Sequence, residues 1–224
     1  MPPEPIPNIE AVQIRRYRAD DRAAIRRIAA DTADRGEPVD RLCPDRELVA
    51  DLLTGHYLDY EPEATWVAWH QEDVVGYLTG CLDTVSHQTL TTRRILPAAV
   101  LRSIGRGMLG SRQTWQWFAA AMRMWRAGAF HAHVPLSDYP AHLHLNLLSG
   151  ARGHGIGGTL VARFLDQARS AGRLGVHAAV RDDNQRSCRF FERLGFAPIA
   201  QRRVVFPEGD AYAAHQTIFY GKTL

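Results

Sequence analysis

The stretch Arg152-Gly153-His154-Gly155-Ile156-Gly157-Gly158-Thr159 decides how this chain is read. Before it, His142–Leu148 alternates in a way that predicts a strand. After it, Ile156, Leu160, Val161, Phe164, Leu165 and Ala168 form an apolar face at helical spacing, closed by Gly172. A glycine-rich turn therefore joins a strand to an amphipathic helix. Glycine lets the backbone approach a ligand closely, and the first amides of a helix have no intrahelical partner. Chemically this is a cradle for phosphate oxygens.

The rest of the chain reads outward from that turn. Downstream, Gly175–Arg181 is a strand, Asn184–Leu194 a short helix closed by Gly195, and Ile199–Phe206 and His215–Tyr220 two final strands. Upstream, Val12–Arg18 is a strand, and Ala19-Asp20-Asp21 starts a helix with Ile25, Ile28 and Ala29 on one face. A second helix fits Asp45 to Tyr57. Two strands follow, Thr65–His70 and Val74–Leu82, joined by a turn at Gln71-Glu72-Asp73. Two helices, near Ile95–Leu109 and Arg112–Ala127, fill an insertion spanning about residues 84–137. The order β-α-α-β-β-insertion-β-α-β-α-β-β is mixed α/β. Residues 1–11, rich in proline, are expected to be a flexible N-terminus ahead of a single domain, 12–224.

The chain has 224 residues, 46% hydrophobic and 23% charged, which excludes a wholly disordered or collagen-like polypeptide. No run approaches a membrane span, and the first residues lack the basic and apolar regions of a secretory signal, so the cytoplasm is the expected location. Cys43, Cys81 and Cys188 are read as reduced thiols, with no metal expected. Of 27 basic residues only Lys222 is lysine. Residues 84–137 hold seven arginines (93, 94, 102, 106, 112, 123 and 126) and no acid, which leaves −4 for the rest of a chain of net charge +3. That asymmetry suggests either an anionic partner or neutralisation by the remainder of the fold. Nucleic acid is not the expected partner, and a homodimer is left open. Trp115, Phe118, Met122 and Trp125 recur at helical spacing, a pattern expected of core. The alternative is a pocket wall or interface.

Two ligand classes compete for the cradle. Gly153, Gly155 and Gly158 satisfy G-x-G-x-x-G, and Asp182 and Asp183 follow a strand later, as a ribose-binding acid would. That is the NAD(P) reading. It requires a doubly wound sheet, for which too few residues remain. The second reading is acetyl-CoA. Here the sequence resembles the GCN5-related N-acetyltransferases (the GNAT superfamily). Their signature [RQ]-x-x-G-x-[GA] is met by Arg152 to Gly157. Their later pattern, an asparagine followed by an aromatic helix ending in G-F, is met by Asn184 through Phe190-Phe191-Glu192-Arg193-Leu194-Gly195-Phe196. A narrower likeness, over Tyr139–Leu148, is to the acetyltransferase-like domain of O-GlcNAcase and its bacterial relatives.

The resemblance implies a central, mostly antiparallel mixed sheet flanked by helices, and acetyl transfer from acetyl-CoA to an amine by direct attack in a ternary complex. It implies that the amides around Arg152, Gly153, His154, Gly155, Ile156 and Gly157 bind the pyrophosphate, with Gly158 and Thr159 alongside. The backbone of Leu147, where its strand splays from a neighbour, would hold pantetheine and polarise the thioester. Asn184 and Ser187 would hold the pantetheine arm, with Phe190 or Phe191 against it. The acceptor would be a small-molecule or peptide amine.

A protonated alkylamine has a pKa of about 10.4, so a group must take its proton. His142 and His144 alternate on one strand face with Asn146 and are the candidate bases. The pair resembles the His-x-His of arylalkylamine N-acetyltransferases. Hydrogen-bonded packing is the alternative role for both. His131 and His133 share that spacing without a nearby carboxylate. Phe191 stands where many family members carry a tyrosine as acid for the thiolate. A weak or inactive acyl-CoA-binding module is therefore the second functional reading. Tyr139 and Tyr220 are candidates for a substitute acid. The insertion is expected to lid the acceptor site.

Overall fold

The computed structural model describes residues 11–108 apart from 42 and 44, residues 115, 116, 119, 122, 123 and 126, and residues 134–208 and 211–224. The strands are β1 (Gln13–Arg16), β2 (Thr65–His70), β3 (Asp73–Cys81), β4 (Ala141–Leu147), β5 (Gly175–Arg181), β6 (Ala197–Glu208) and β7 (Ala211–Thr223). The principal helices are α1 (Arg22–Thr32), α2 (Arg46–Tyr60), α3 (Thr84–Leu90), α4 (Leu96–Gly105), α5 (Ile156–Ser170) and α6 (Gln185–Arg193). The strands form one sheet in the order β1-β2-β3-β4-β5-β7-β6. Every neighbouring pair is antiparallel except β4 with β5. The doubly wound sheet required for dinucleotide binding is therefore overturned.

The sheet alternates its burden between two faces. Leu78, Leu143, Val176, Ala178 and Val180 pack with Leu160, Val161, Phe164 and Leu165 of α5. Val67, Val74 and Tyr77 point the other way, onto Ile25, Ile28 and Ala29 of α1 and Leu58 of α2. A third cluster joins Leu48 and Val49 of α2 to Ala99 of α4.

Element ends differ from the sequence reading for local reasons. Helix α2 runs on to Tyr60, and Pro62 sits just beyond. The insertion turns helical at Thr84, earlier than the expected Ile95, because the Asp83 carboxylate caps the amides of Val85 and Ser86. A π-turn at Thr91–Ile95 joins α3 to α4. Pro97 stands two residues beyond it, and its missing N–H removes the α-helical bond to Arg93 there. Arg102 donates to Asp51 at 2.9 Å and Arg106 to Asp45 at 2.7 Å, so α2 neutralises part of the insertion's charge. Trp115 and Met122 are exposed, which corrects the core expectation for those two residues; Phe118, Trp125, Arg112, His131, His133 and nearly all of the N-terminal segment lie outside the described residues.

Helix α5 lies so close to β3 that a Cβ on Gly80 would stand 2.0 Å from Cε2 of Phe164. Replacing Gly80 by valine should destabilise the fold by about 2 kcal/mol or more, read as a lower urea midpoint at unchanged slope. An unaltered midpoint would contradict this packing.

Candidate active site

Strands β4 and β5 pair only at Ala141↔Val176 and His142↔His177. Beyond His142 they separate. β4 stays registered on β3 from Cys81↔His142 to Gly76↔Leu147, and Leu148 N–H donates to Val75 O at 3.0 Å. Backbone groups alternate sides along an antiparallel strand. The N–H and C=O groups of Leu145 and Leu147 therefore face the gap toward β5.

The glycine-rich turn closes the end of that gap. Gly153 and Gly155 have φ of +88° and +79°, and a Cβ on either would meet nothing within 4 Å. The turn thus requires glycine for conformation and opens outward on that side. Gly155 is the N-cap of α5, with no side chain to satisfy the helix amides. Thr159 N–H is the first to reach back, to Gly155 O at 3.1 Å, so the amides of Ile156, Gly157 and Gly158 precede the helical ladder. Gly157 is different: a Cβ there would press on Leu145 and Phe190, each at 3.2 Å, so its smallness serves packing. His154 is exposed beside the turn, and the Thr159 hydroxyl donates to Gly155 O at 3.4 Å.

Arg152 does something the sequence did not reveal. Its Nε donates to Leu147 O at 2.9 Å and its Nη2 to Gly36 O at 3.0 Å. The guanidinium ties the end of β4 to the loop after α1, where Gly36 has φ of +95°. Burial, then the nearby Arg186 charge, lowers the Arg152 pKa. Two mutually repelling guanidiniums near a helix start whose first amides lack an intrahelical partner suit a polyanion.

The aromatic helix supplies the other wall. The Asn184 side chain caps α6 by accepting from Ser187 N–H at 3.1 Å. Phe190 is half-buried against Gly157. Phe191 is buried, stacked on Tyr220 with ring centres 6.2 Å apart. The Tyr220 hydroxyl is buried and donates to Glu192 at 2.9 Å. Asp182 accepts from Gln216 N–H, and Asp183 is held by Arg181 and Arg35, so both carboxylates fasten the sheet end.

On the opposite face of β4 the two histidines have different surroundings. His142 is 6% exposed and both its nitrogens are engaged: Nε2 lies 2.8 Å from Tyr57 Oη and Nδ1 2.8 Å from Thr84 Oγ1. Thr84 Oγ1 has one proton and also sits 2.7 Å from Pro140 O, which can only accept. Thr84 therefore donates to the carbonyl, His142 Nδ1 donates to Thr84, and Nε2 accepts the Tyr57 proton. This assigns neutral His142 to the Nδ1–H tautomer. His144 is open to solvent at its surface, with its ring near those of His142 and Tyr57. Asn146 donates to Thr32 Oγ1 at 2.6 Å.

Three further rings, from residues that sequence reasoning passed over, complete an imidazole cluster. His87 lies 4.7 Å from His142 and 4.4 Å from His56, centre to centre, and His177 lies 5.4 Å from His142. Tyr57 packs among them. Their sources are α2, α3 and β5, and no local motif unites them. Burial first, and then neighbouring histidines, holds His142 well below the ordinary imidazole value, His87 at about 3 and His144 at about 4.

Against known proteins, the acetyltransferase (GNAT) family pattern matches residues 34–196. The chain belongs to this family. It is similar to the solved protein SsHAT at 26% identity, covering 95% of this chain and 98% of that one, with a TM-score of 0.72. The fold is shared with an N-acetyltransferase from Staphylococcus aureus Mu50 at 16% identity, covering 95% and 98%, TM-score 0.57. It is shared too with yncA from Salmonella typhimurium, solved with its cofactor acetyl-CoA, at 18% identity, covering 95% and 94%, TM-score 0.55. Membership supports acetyl transfer as the general activity of this GNAT chain. Among the described residues no helix is long and apolar enough to cross a membrane.

The depressed histidines have a consequence for stability. The unfolded chain takes up these protons near pH 6.5, before the folded chain does, so acid favours unfolding through the window from about 6.5 down toward 4. Buried His142 and half-buried His87 should each remove up to about 1.4 kcal/mol per pH unit, and open His144 less. Urea midpoints that stay level from pH 7 to pH 5 would contradict the neutral cluster.

Proposed function

We propose that this GNAT protein transfers an acetyl group from acetyl-CoA to an amine by direct attack in a ternary complex. The observation that carries the reading is the union of two features: a gap between β4 and β5 lined by backbone groups of Leu145 and Leu147, and a glycine N-cap that leaves the first amides of α5 uncapped. The residues fit the cofactor. The turn from Arg152 through Gly153, His154, Gly155, Ile156 and Gly157, with Gly158 and Thr159, would receive the pyrophosphate through main-chain amides. The Leu145 and Leu147 backbone would receive pantetheine, with Asn184, Ser187, Phe190 and Phe191 as the facing wall. Bound acetyl-CoA supplies the activated acyl carbon.

The chain's own residues then do three things. Amides in the gap stabilise negative charge on the carbonyl oxygen. His144, neutral at pH 7 and open to solvent, accepts the amine proton as the new bond forms. His142 acts behind it as a positioning residue, because both its nitrogens are engaged by Tyr57 and Thr84. The thiolate leaves without a proton from Phe191. A thiol's reference pKa of about 8.5 makes that feasible.

A second reading, an acyl-CoA-binding module that does not turn over, is favoured by Phe191 and by Tyr220's commitment to Glu192. One experiment separates them. Purified protein is mixed with acetyl-CoA and an amine panel, and free thiol is followed. Thiol release is expected, with H144A lowering kcat about 100-fold at pH 7 while acetyl-CoA affinity is kept. Binding without thiol release for any amine would establish the module instead.

A further inference from the structure

His56 presents a puzzle that the acetyl-transfer reading does not absorb. It projects from α2, is 2% exposed, and neither ring nitrogen makes a hydrogen bond. Its closest charged neighbour is Glu61, whose Oε1 is 3.6 Å from Nε2, beyond hydrogen-bond reach. A buried imidazole with two unmet nitrogens is costly, and some partner is expected.

Cys81 reaches the same carboxylate oxygen. It closes β3, is fully buried, and its Sγ is 3.4 Å from Glu61 Oε1. The second Glu61 oxygen accepts from Leu82 N–H at 3.0 Å, which fixes the carboxylate plane. One nitrogen, one oxygen and one sulfur thus lie within 4.8 Å of one another. Tetrahedral zinc bond lengths imply donor-to-donor edges of about 3.3–3.6 Å for such a set. The two edges seen, 3.6 and 3.4 Å, are near these values.

We propose that His56, Glu61 and Cys81 form a zinc site. A donor set of imidazole, carboxylate and thiolate suits this borderline ion better than calcium or magnesium, which take oxygen alone. Three protein ligands leave a fourth position for water. Tyr60 stacks on His56 with ring centres 5.8 Å apart, and His87 lies edge-on at 4.4 Å, so aromatic rings wall the site. Glu61, 18% exposed, offers the way in. Cys81 is the register partner of His142, so the ion would brace the sheet beside the histidine cluster without touching the cofactor cradle. The inference does not depend on the acetyl-transfer reading. It revises the expectation that Cys81 is a plain thiol. A coordinating cysteine is a thiolate, so binding releases the Cys81 proton and should tighten as pH rises.

The test uses the full chain stripped of metal with a chelator. Cobalt(II) titration should reach one equivalent, with a thiolate-to-cobalt charge-transfer band that zinc abolishes and a rise in thermal midpoint with zinc. C81S should lose the band. E61Q, altered at a partly exposed position where folding is least at risk, should weaken zinc at least tenfold. No charge-transfer band in the unaltered protein would overturn the site. So would a band that survives C81S, since it would then come from Cys43 or Cys188.

Discussion

The structure depends on the incomplete pairing of two parallel strands. β4 is held along its length by β3, and β5 along its length by β7. Each antiparallel pair is a stiff unit, and the two units meet only at Ala141↔Val176 and His142↔His177. The result is a wedge in the middle of a seven-stranded sheet. Backbone donors and acceptors inside a protein require partners, so an open seam flanked by α5 and α6 is a standing demand for a ligand with its own amides. Arg152 stabilises the wedge from its wide end by drawing Leu147 O toward the loop at Gly36.

Much of this was legible in the sequence because it is local. The turn at Gly153 and Gly155 is written in residues that tolerate left-handed backbone, and α5 in an apolar stripe at helical spacing. Strand β2 has the bounds the alternation predicts, Thr65–His70. Helix α3 was missed because its main signal is a single cap, Asp83, in a stretch of threonine, serine and histidine with no apolar period. Trp115 and Met122 have helical spacing but are exposed, because periodicity reports a face without saying what covers it.

The site was legible in part for the same reason. His142 and His144 are two residues apart on one strand, and the sequence placed them on one face. What it could not give was their difference. His142 is engaged by Tyr57, 85 residues earlier, and by Thr84, 58 residues earlier. Those contacts arise when α2 and α3 settle on the sheet. Likewise the sequence reads Arg152 only through its main-chain amide, and the tie of its side chain to Gly36 spans 116 residues. Two of the insertion's arginines meet counter-ions in Asp45, the N-cap of α2, and Asp51 of α2, which charge counting could only assign to the remainder of the chain.

The central claim is that coenzyme A enters the seam between β4 and β5 and takes its hydrogen bonds from the main chain. Amide hydrogen exchange, resolved to single residues by NMR with and without coenzyme A, measures this directly. The account predicts strong added protection at Leu145, Leu147 and Ile156 to Gly158, and little change at Leu148, already bonded to Val75. Tight binding that leaves those seam and turn amides exchanging as before would contradict it.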